Sequence, residues 1–592
     1  MKCGANCTLW ITVLLTGLPL QAQENLLMKA LRDEMGRTME RLQLEDMDRP
    51  YYVAYWVRES EGRGSTAVLG GLLGRGRGSG SRTLSVELRV GDHDLDNTNF
   101  MDFGRMRSRV VPEGFPVSLP LRDDYKELRR QIWLATDGAY KQAVHSLAKK
   151  RATLQNKTRV EIVPDFSHEE PVEYSDGSSP APLPDEARLE AVAKELSGLF
   201  KKMPHIFDSR VSAGLSRGKT YFVNSEGSSY IRNSSSASIQ VLASTQAVDG
   251  TYLEDFVVAR GRQWKDLPDQ AELEARIRDM ADRLGRLREA PFVDRYNGPV
   301  LFEGQAAAEL VSQILAPRLL ALRSPMTDEP RFGRFGSGPQ NPFLEKLGSR
   351  VLPRSLTVID DPTAGSHGEV PLLGGYEVDD EGVRSRRTTV IQRGILKTLL
   401  ATRTPVSGVS NSTGNRRNSG PSPSNLFLVP QNGMKQEEIR QELIDLVAER
   451  DLDFGIVVRR VGSPDLTLSR DRGFFFAMPG EEGRPKLKPL TEVYKVFPDG
   501  REELIRKAVL LGLSASSFRE IAAASETLTP HHATMRLPMI NPFSSVGFMG
   551  PRPVVSLVVP SLLFEDLALR RPPGDIPRPP LLAHPLSEPR AR

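Results

Sequence analysis

Two rhythms of apolar residues run through the first half of the chain. Aromatic and β-branched residues alternate with others over Tyr51–Arg58, and Leu84, Val86, Leu88 and Val90 share one face of Thr83–Val90; this period of two predicts strands with one buried side. Between them, Gly62–Arg82 is rich in glycine, arginine and serine and reads as a flexible hairpin loop. Leu128, Ile132, Ala135, Ala139, Ala143 and Leu147 then recur at helical spacing, with the basic run Lys149-Lys150-Arg151 expected at that helix's C-terminal end, where its dipole favours cations. Two further helices are predicted at Pro184–Phe200 and Leu267–Leu284, the latter with Asp266 as its cap. A hairpin or meander is expected over Thr220–Val241, turning at Asn224–Gly227.

The second half predicts strands near Leu356–Ile359, Thr388–Gln392 and Phe454–Val461, and a helix at Gln436–Ala448 carrying Ile439, Leu443, Leu446 and Val447. Thr404–Ser424, dense in Ser, Asn, Gly and Pro, reads as a long functional or disordered loop. Beyond Leu569 the proline-rich stretch lacks the apolar content to order itself and reads as an extended tail, with partner binding by an added strand as the other reading. Strands followed by helices place the chain in the α+β class. The expected organisation is a signal peptide over 1–22, an N-terminal α/β domain over 23–290, a β-rich domain over 291–569 and a tail over 570–592.

The signal peptide rests on Lys2 as the only charge in Met1–Ala22, an apolar run from Leu9 to Leu20 and a Leu20-Gln21-Ala22 end. That run falls short of the roughly 20 residues needed to span a bilayer, so the reading is a cleaved signal and an exported protein, periplasmic or extracellular. Both cysteines, Cys3 and Cys7, precede the run. Cleavage would leave no disulfide and no thiolate ligand or nucleophile. The formal charge of +4, or +3 without Lys2, is spread among interleaved acids and bases, which excludes a nucleic-acid footprint.

Several chemical motifs fail on context. Gly214-Leu215-Ser216-Arg217-Gly218 matches the nucleophile elbow GxSxG, yet a strand-like run follows it where a helix is required. GRGRGSGS lacks a phosphate cradle's spacing. Asp92-His93-Asp94-Leu95-Asp96 has no EF-hand glycine or terminal glutamate and reads as the end of a strand. Adjacent His531 and His532 point apart on any regular element and read as a solvated loop pair. His367, close in sequence to Asp360, Asp361 and Asp379-Asp380-Glu381, is a weak candidate for a metal ligand against turn chemistry.

Three segments carry a resemblance: YNGPVLFEGQAAAEL (Tyr296–Leu310), DDPTAGSHGEVPLLGGYEVDDEGVRSRRTTVIQRGILKTLLATR (Asp360–Arg403) and TGNRR (Thr413–Arg417). Together they resemble the C-terminal half of the TldD/PmbA family, the peptidase U62 or modulator-of-DNA-gyrase type, whose zinc-bearing members cleave short or unfolded peptides. The resemblance implies an N-terminal α/β domain followed by a β-rich C-terminal domain. It also implies HExxxH at a position where this chain reads FEGQAA, so that Phe302 and Ala307 stand in place of the two histidines, Glu303 in place of the glutamate, and the family's closing cysteine has no counterpart after cleavage. Neither Phe nor Ala has a lone pair to give a metal. Such ligand loss resembles the PmbA-type members, which pair with zinc-bearing ones.

The preferred reading is therefore an exported, zinc-less subunit that binds no cofactor itself and assists proteolysis of peptides by a zinc-bearing TldD-type partner, or acts within a homodimer. Two alternatives stand beside it: a divergent metallopeptidase with its own non-standard metal site through His367, and a stand-alone envelope module that binds peptides. Glu303 is a weak candidate proton acceptor. Asp379, Asp380 and Glu381 in an acidic turn, with Asn415, Arg416 and Arg417 in a polar loop, are candidates for a peptide groove, the arginines meeting a carboxylate.

Overall fold

A computed structural model describes residues 25–102, 116–156, 162–327, 341–418, 420–466, 468, 487–535, 552–572 and 585. The expected signal peptide and almost all of the expected tail lie outside this set. The helices are α1 (Leu26–Arg41), α2 (Tyr125–Asn156), α3 (Glu186–Gly198), α4 (Gln270–Leu287), α5 (Gln305–Leu310) and α6 (Gln436–Glu449). Two large sheets divide the strands between them. The first, of seven strands, contains β1 (Pro50–Val68), β2 (Gly71–Val90), β3 (Asp208–Asn224), β4 (Ser229–Gln246) and β5 (Tyr252–Gly261). The second, of eleven, contains β6 (Arg295–Phe302), β7 (Leu356–Asp360), β8 (Thr388–Gln392), β9 (Asn425–Pro430), β10 (Gly455–Val461), β11 (Leu490–Val496), β12 (Glu502–Ile505), β13 (Ile521–Thr534) and β14 (Val554–Arg570). This is an α+β architecture with a β-rich second half.

Alternation along β1 explains how the first sheet is covered. Val53, Tyr55 and Val57 pack with α1 and α2, whereas Tyr52, Ala54 and Trp56 form an opposite cluster with Phe166, Phe222, Tyr230 and Val378. Val378 belongs to the second half, so one face of the first sheet is a joint between the halves. Helices α3 and α4 bury Leu189, Ala193, Leu196, Ile277, Met280 and Leu284 against β3, β4 and β5.

The expected loop at Gly62–Arg82 is a pair of strand arms. Pairing between β1 and β2 continues through Gly62↔Gly78 and Gly64↔Gly76 to Val68↔Gly71, around a turn with Leu69 and Gly70 at positive φ. Its composition misleads because neither face of these arms is fully covered by apolar packing. Helix α2 runs past the basic run, and Lys150 is buried, with Nζ 2.5 Å from Asp165 and 2.9 Å from the Asp96 carbonyl. A buried partner, not the helix dipole, holds that cation. Helix α4 is capped by Asp269, whose carboxylate accepts from the Glu272 N–H, while Asp266 caps a short turn before it.

In the second sheet β14 is the spine. One edge pairs with β13, and the other pairs in parallel with β9 and antiparallel with β6. Phe302, Leu557, Val559, Leu562 and Phe564 lie in its largest core, and α6 covers Leu301, Val457 and Leu563 on the opposite face. No described helix is long and apolar enough to cross a membrane.

Candidate functional site

Strand β6 enters α5 through Glu303 and Gly304, the latter at φ 50°. Phe302 and Ala307, which stand at the expected imidazole positions, have no exposed surface, and the Phe302 ring meets Phe564 edge-on at 5.7 Å. They are close-packed core. Helix α5 continues as a π turn over Val311–Leu315, the kind of irregularity that recurs at functional sites.

The Glu303 carboxylate faces away from that core. It accepts from Gln436 Nε2 at 2.8 Å, from Arg440 Nε and Nη2 at 2.8 and 3.1 Å, and from Arg459 Nε at 3.2 Å. Burial alone would raise its pKa, but the two guanidinium groups outweigh that and hold it below the usual range. An ionised carboxylate with its lone pairs engaged is a structural anchor.

A cavity of about 610 Å³ opens next to α5, lined by Phe256–Gly261 of β5, by Gln305, by Glu369, Val370, Pro371 and Leu373, and by Pro530–His532. Two donors in it are buried without a partner, Arg260 Nε and Gln305 Nε2. Desolvation depresses the Arg260 pKa, only partly offset by the charges of Asp465 and Glu309. Strand β5 pairs with β4 alone among the described residues, and its Phe256 carbonyl already accepts from Arg460 Nη2 at 2.6 Å. His531 and His532 sit on β13 and not in a loop. His531 Nε2 lies 3.2 Å from Glu309 Oε1, and His532 Nδ1 lies 3.0 Å from Ser556 Oγ. Burial, with the charges of His531 and Arg260, pushes His532 down to about 4. The cavity offers donors to an extended chain.

The six expected groove residues are brought together, but in the joint between the halves. Asp379 accepts from the N–H groups of Glu381, Val383 and Arg416, and burial beside Glu381 nonetheless raises its pKa. Asp380 pairs with Arg232 and Arg58, and its carbonyl accepts from Trp56 Nε1 at 2.6 Å; despite burial these cations hold its pKa far below normal. Glu381 Oε1 takes Arg416 Nη1 at 2.8 Å, and Asn415 Nδ2 donates to Asp360 at 2.7 Å. Burial lifts Asp360 to about 6. Of the six, all except Arg417 are buried; Arg417 is half-buried with its guanidinium 4.6 Å from the Tyr376 ring. In the structure these residues interlock with one another, and Arg416 is bonded to Glu381 and to the Asn418 carbonyl. The described residues of the stretch Thr404–Ser424 include Ser412, Thr413, Ser422 and Ser424, all buried.

His367 forms a two-residue bridge with Val370, and its ring lies 6.4 Å from Phe427. Asp360 and Asp379–Glu381 are engaged elsewhere, so the structure does not gather the expected ligand set around it. Ser216 lies inside β3, where the flanking glycines serve close strand contact: a Cβ on Gly214 would sit 2.9 Å from the Arg63 carbonyl. One cluster escaped the sequence reading, His93 with His168 and Glu226; its members come from three separate segments and share no spacing signal.

Residues 295–463 match the family described as the PmbA/TldA metallopeptidase C-terminal domain. A metalloprotease of Methanocaldococcus jannaschii is 39% identical over 94 residues, 15% of this chain and 20% of that protein. One of Archaeoglobus fulgidus is 35% identical over 75 residues, 13% and 16% respectively. The matched stretches thus span a fifth or less of these relatives. Across the whole fold the chain is similar to TldE from Thermococcus kodakarensis, with a TM-score of 0.56 and 13% identity over 92% of this chain and 100% of that one. A modulator of DNA gyrase from Thermotoga maritima gives a TM-score of 0.54 and 15% identity over 88% and 96%. Residues 295–463 thus form a PmbA/TldA metallopeptidase C-terminal domain, and the chain has the fold of TldE along nine-tenths of its length.

Proposed function

We propose that this chain is a zinc-less TldD/PmbA protein that holds short or unfolded peptides for a zinc-bearing partner of the same family, or within a homodimer, and that it works outside the cytoplasm after cleavage behind Ala22. One observation carries the reading: the two metal-ligand positions of the family are Phe302 and Ala307, sealed in the core, while the glutamate between them is committed to Arg440 and Arg459. The cavity beside α5 supports a binding role. A peptide laid along β5 would exchange main-chain hydrogen bonds with its edge away from β4, with Arg260 and Gln305 available to a carbonyl or carboxylate.

The test is co-purification from the native host, without an affinity tag, followed by peptidase assays of the chain alone and of the assembly. Hydrolysis is expected only with an HExxxH-bearing relative present. Chelator-sensitive hydrolysis by the chain alone would overturn the reading. The stand-alone peptide-binding module, favoured by the same edge, predicts peptide capture with no relative recovered. Amino-terminal sequencing of the exported fraction, expected to begin at Gln23, tests the location.

A further inference from the structure

His93 follows β2, His168 lies on the strap 165–169, and Glu226 sits in the β3–β4 turn; their ligand atoms all lie within 4.8 Å of one another. Two features prepare His93 as a ligand. Its Nδ1 lies 3.2 Å from the Phe166 carbonyl, a contact that takes the ring's N–H and leaves the Nε2 lone pair free, as an outer-sphere partner does in metal sites. That Nε2 is 3.9 Å from Glu226 Oε1. The ring also stacks on His168 at 3.6 Å.

Glu226 is fixed from the other half. Arg403 Nη1 is 2.5 Å from Oε2 and Nη2 is 3.1 Å from Oε1, while the same guanidinium donates to the Ser167 carbonyl. A carboxylate has about four lone-pair directions, so Oε1 can accept Arg403 and still ligate. We propose that His93, His168 and Glu226 form a binding site for a divalent transition metal of the zinc class, which ties the 165–169 strap to the β3–β4 turn. Two imidazoles and a carboxylate are a zinc donor set, with water filling the fourth position. Bringing the ligand atoms to the roughly 3.4 Å separation around a tetrahedral ion with bonds near 2.1 Å needs a swing of His168, which is exposed. This site is remote in sequence from Phe302 and Ala307, and a structural ion held here would leave the proposed function standing, since that reading denies zinc only at those two family positions.

The experiment uses the tag-free chain from Gln23 onward, stripped with chelator and titrated with zinc chloride by calorimetry, with bound zinc counted by elemental analysis after dialysis. About one equivalent is expected, with a rise in melting temperature. His168→Ala, at an exposed position, should weaken binding at least tenfold and abolish the rise, whereas His367→Ala and the pair His531→Ala, His532→Ala should bind as the parent does. No zinc uptake by the parent, or equal uptake by His168→Ala, overturns the site. Peptide hydrolysis by the zinc-loaded chain that His168→Ala removes would support the site and overturn the zinc-less reading.

Discussion

Arg440 grips Glu303 with its guanidinium fork, Nε 2.8 Å from one carboxylate oxygen and Nη2 3.1 Å from the other. Arg459 shares the same carboxylate and also reaches Glu502 at 2.8 Å. Glu303→Gln should therefore behave as a stability variant. A loss of about 1–3 kcal/mol is expected for a largely buried charged hydrogen bond, read as a lower urea midpoint. Peptide processing by the assembly should not change; a catalytic loss without a stability change would restore Glu303 as a proton acceptor.

Putting the family's imidazoles back should not restore a metal site. In the double variant Phe302→His, Ala307→His, the first change buries polar nitrogens in apolar core and the second overfills a fully buried alanine position. Together these should destabilise the fold by at least about 3 kcal/mol. Chemical denaturation measures the loss, and elemental analysis should find no zinc added by the change.

The two arginines of TGNRR should separate sharply. Arg416→Ala leaves Glu381 buried without its 2.8 Å partner, a loss of about 3–5 kcal/mol. Arg417→Ala removes a half-buried group that meets the Gly374 carbonyl at 3.2 Å and should cost less than about 1 kcal/mol. Thermal melting of the two single variants checks the order. Equal melting temperatures would return Arg416 to a ligand-binding role.

Asp360 and His532 should pull stability in opposite directions with pH. Asp360 titrates near 6 when folded against an ordinary 3.8; between these values the folded protein holds a proton that the unfolded chain has released. Its contribution therefore grows as pH falls from 6 towards 4, by up to about 3 kcal/mol. His532 titrates near 4 when folded against an ordinary 6.5, so the unfolded chain takes the proton first. Its contribution is lost as pH falls from 6.5 to 4, by a similar amount. Relative to the parent, Asp360→Asn should steepen the fall in melting temperature between pH 6.5 and 4, and His532→Gln should lessen it. Parallel curves would contradict both assignments.

The amphipathic elements were legible because one packed face is enough to impose a period. Leu273, Ile277, Met280 and Leu284 announce α4, and Thr388–Gln392 is a strand with the bounds its pattern implies. Helix α5 was missed because it is only six residues long and all of them but Gln305 are buried, which leaves no amphipathic period to read. The acidic turn read as a groove because a run of charges suggests solvent, whereas its partners are contributed from far along the chain: Trp56 and Arg232 for Asp380, Arg416 for Glu381. That Phe302 and Ala307 stand where the resemblance expects imidazoles was legible directly. The cavity was not, since Arg260 and Gln305 come from different halves and meet only when both sheets are built.

The placement of β14 dictates the order in which this protein can be made. It pairs with β9 and β6 along one edge and with β13 along the other, so a nascent chain that has not yet emerged through residue 570 holds three sets of strand edges with nothing to join them. The second sheet must then close after synthesis of β14, not progressively behind the ribosome. A chain that stays open until that moment is one a translocation channel can still thread, and one that a stop codon ahead of β14 would leave as an aggregation-prone set of unpaired strands.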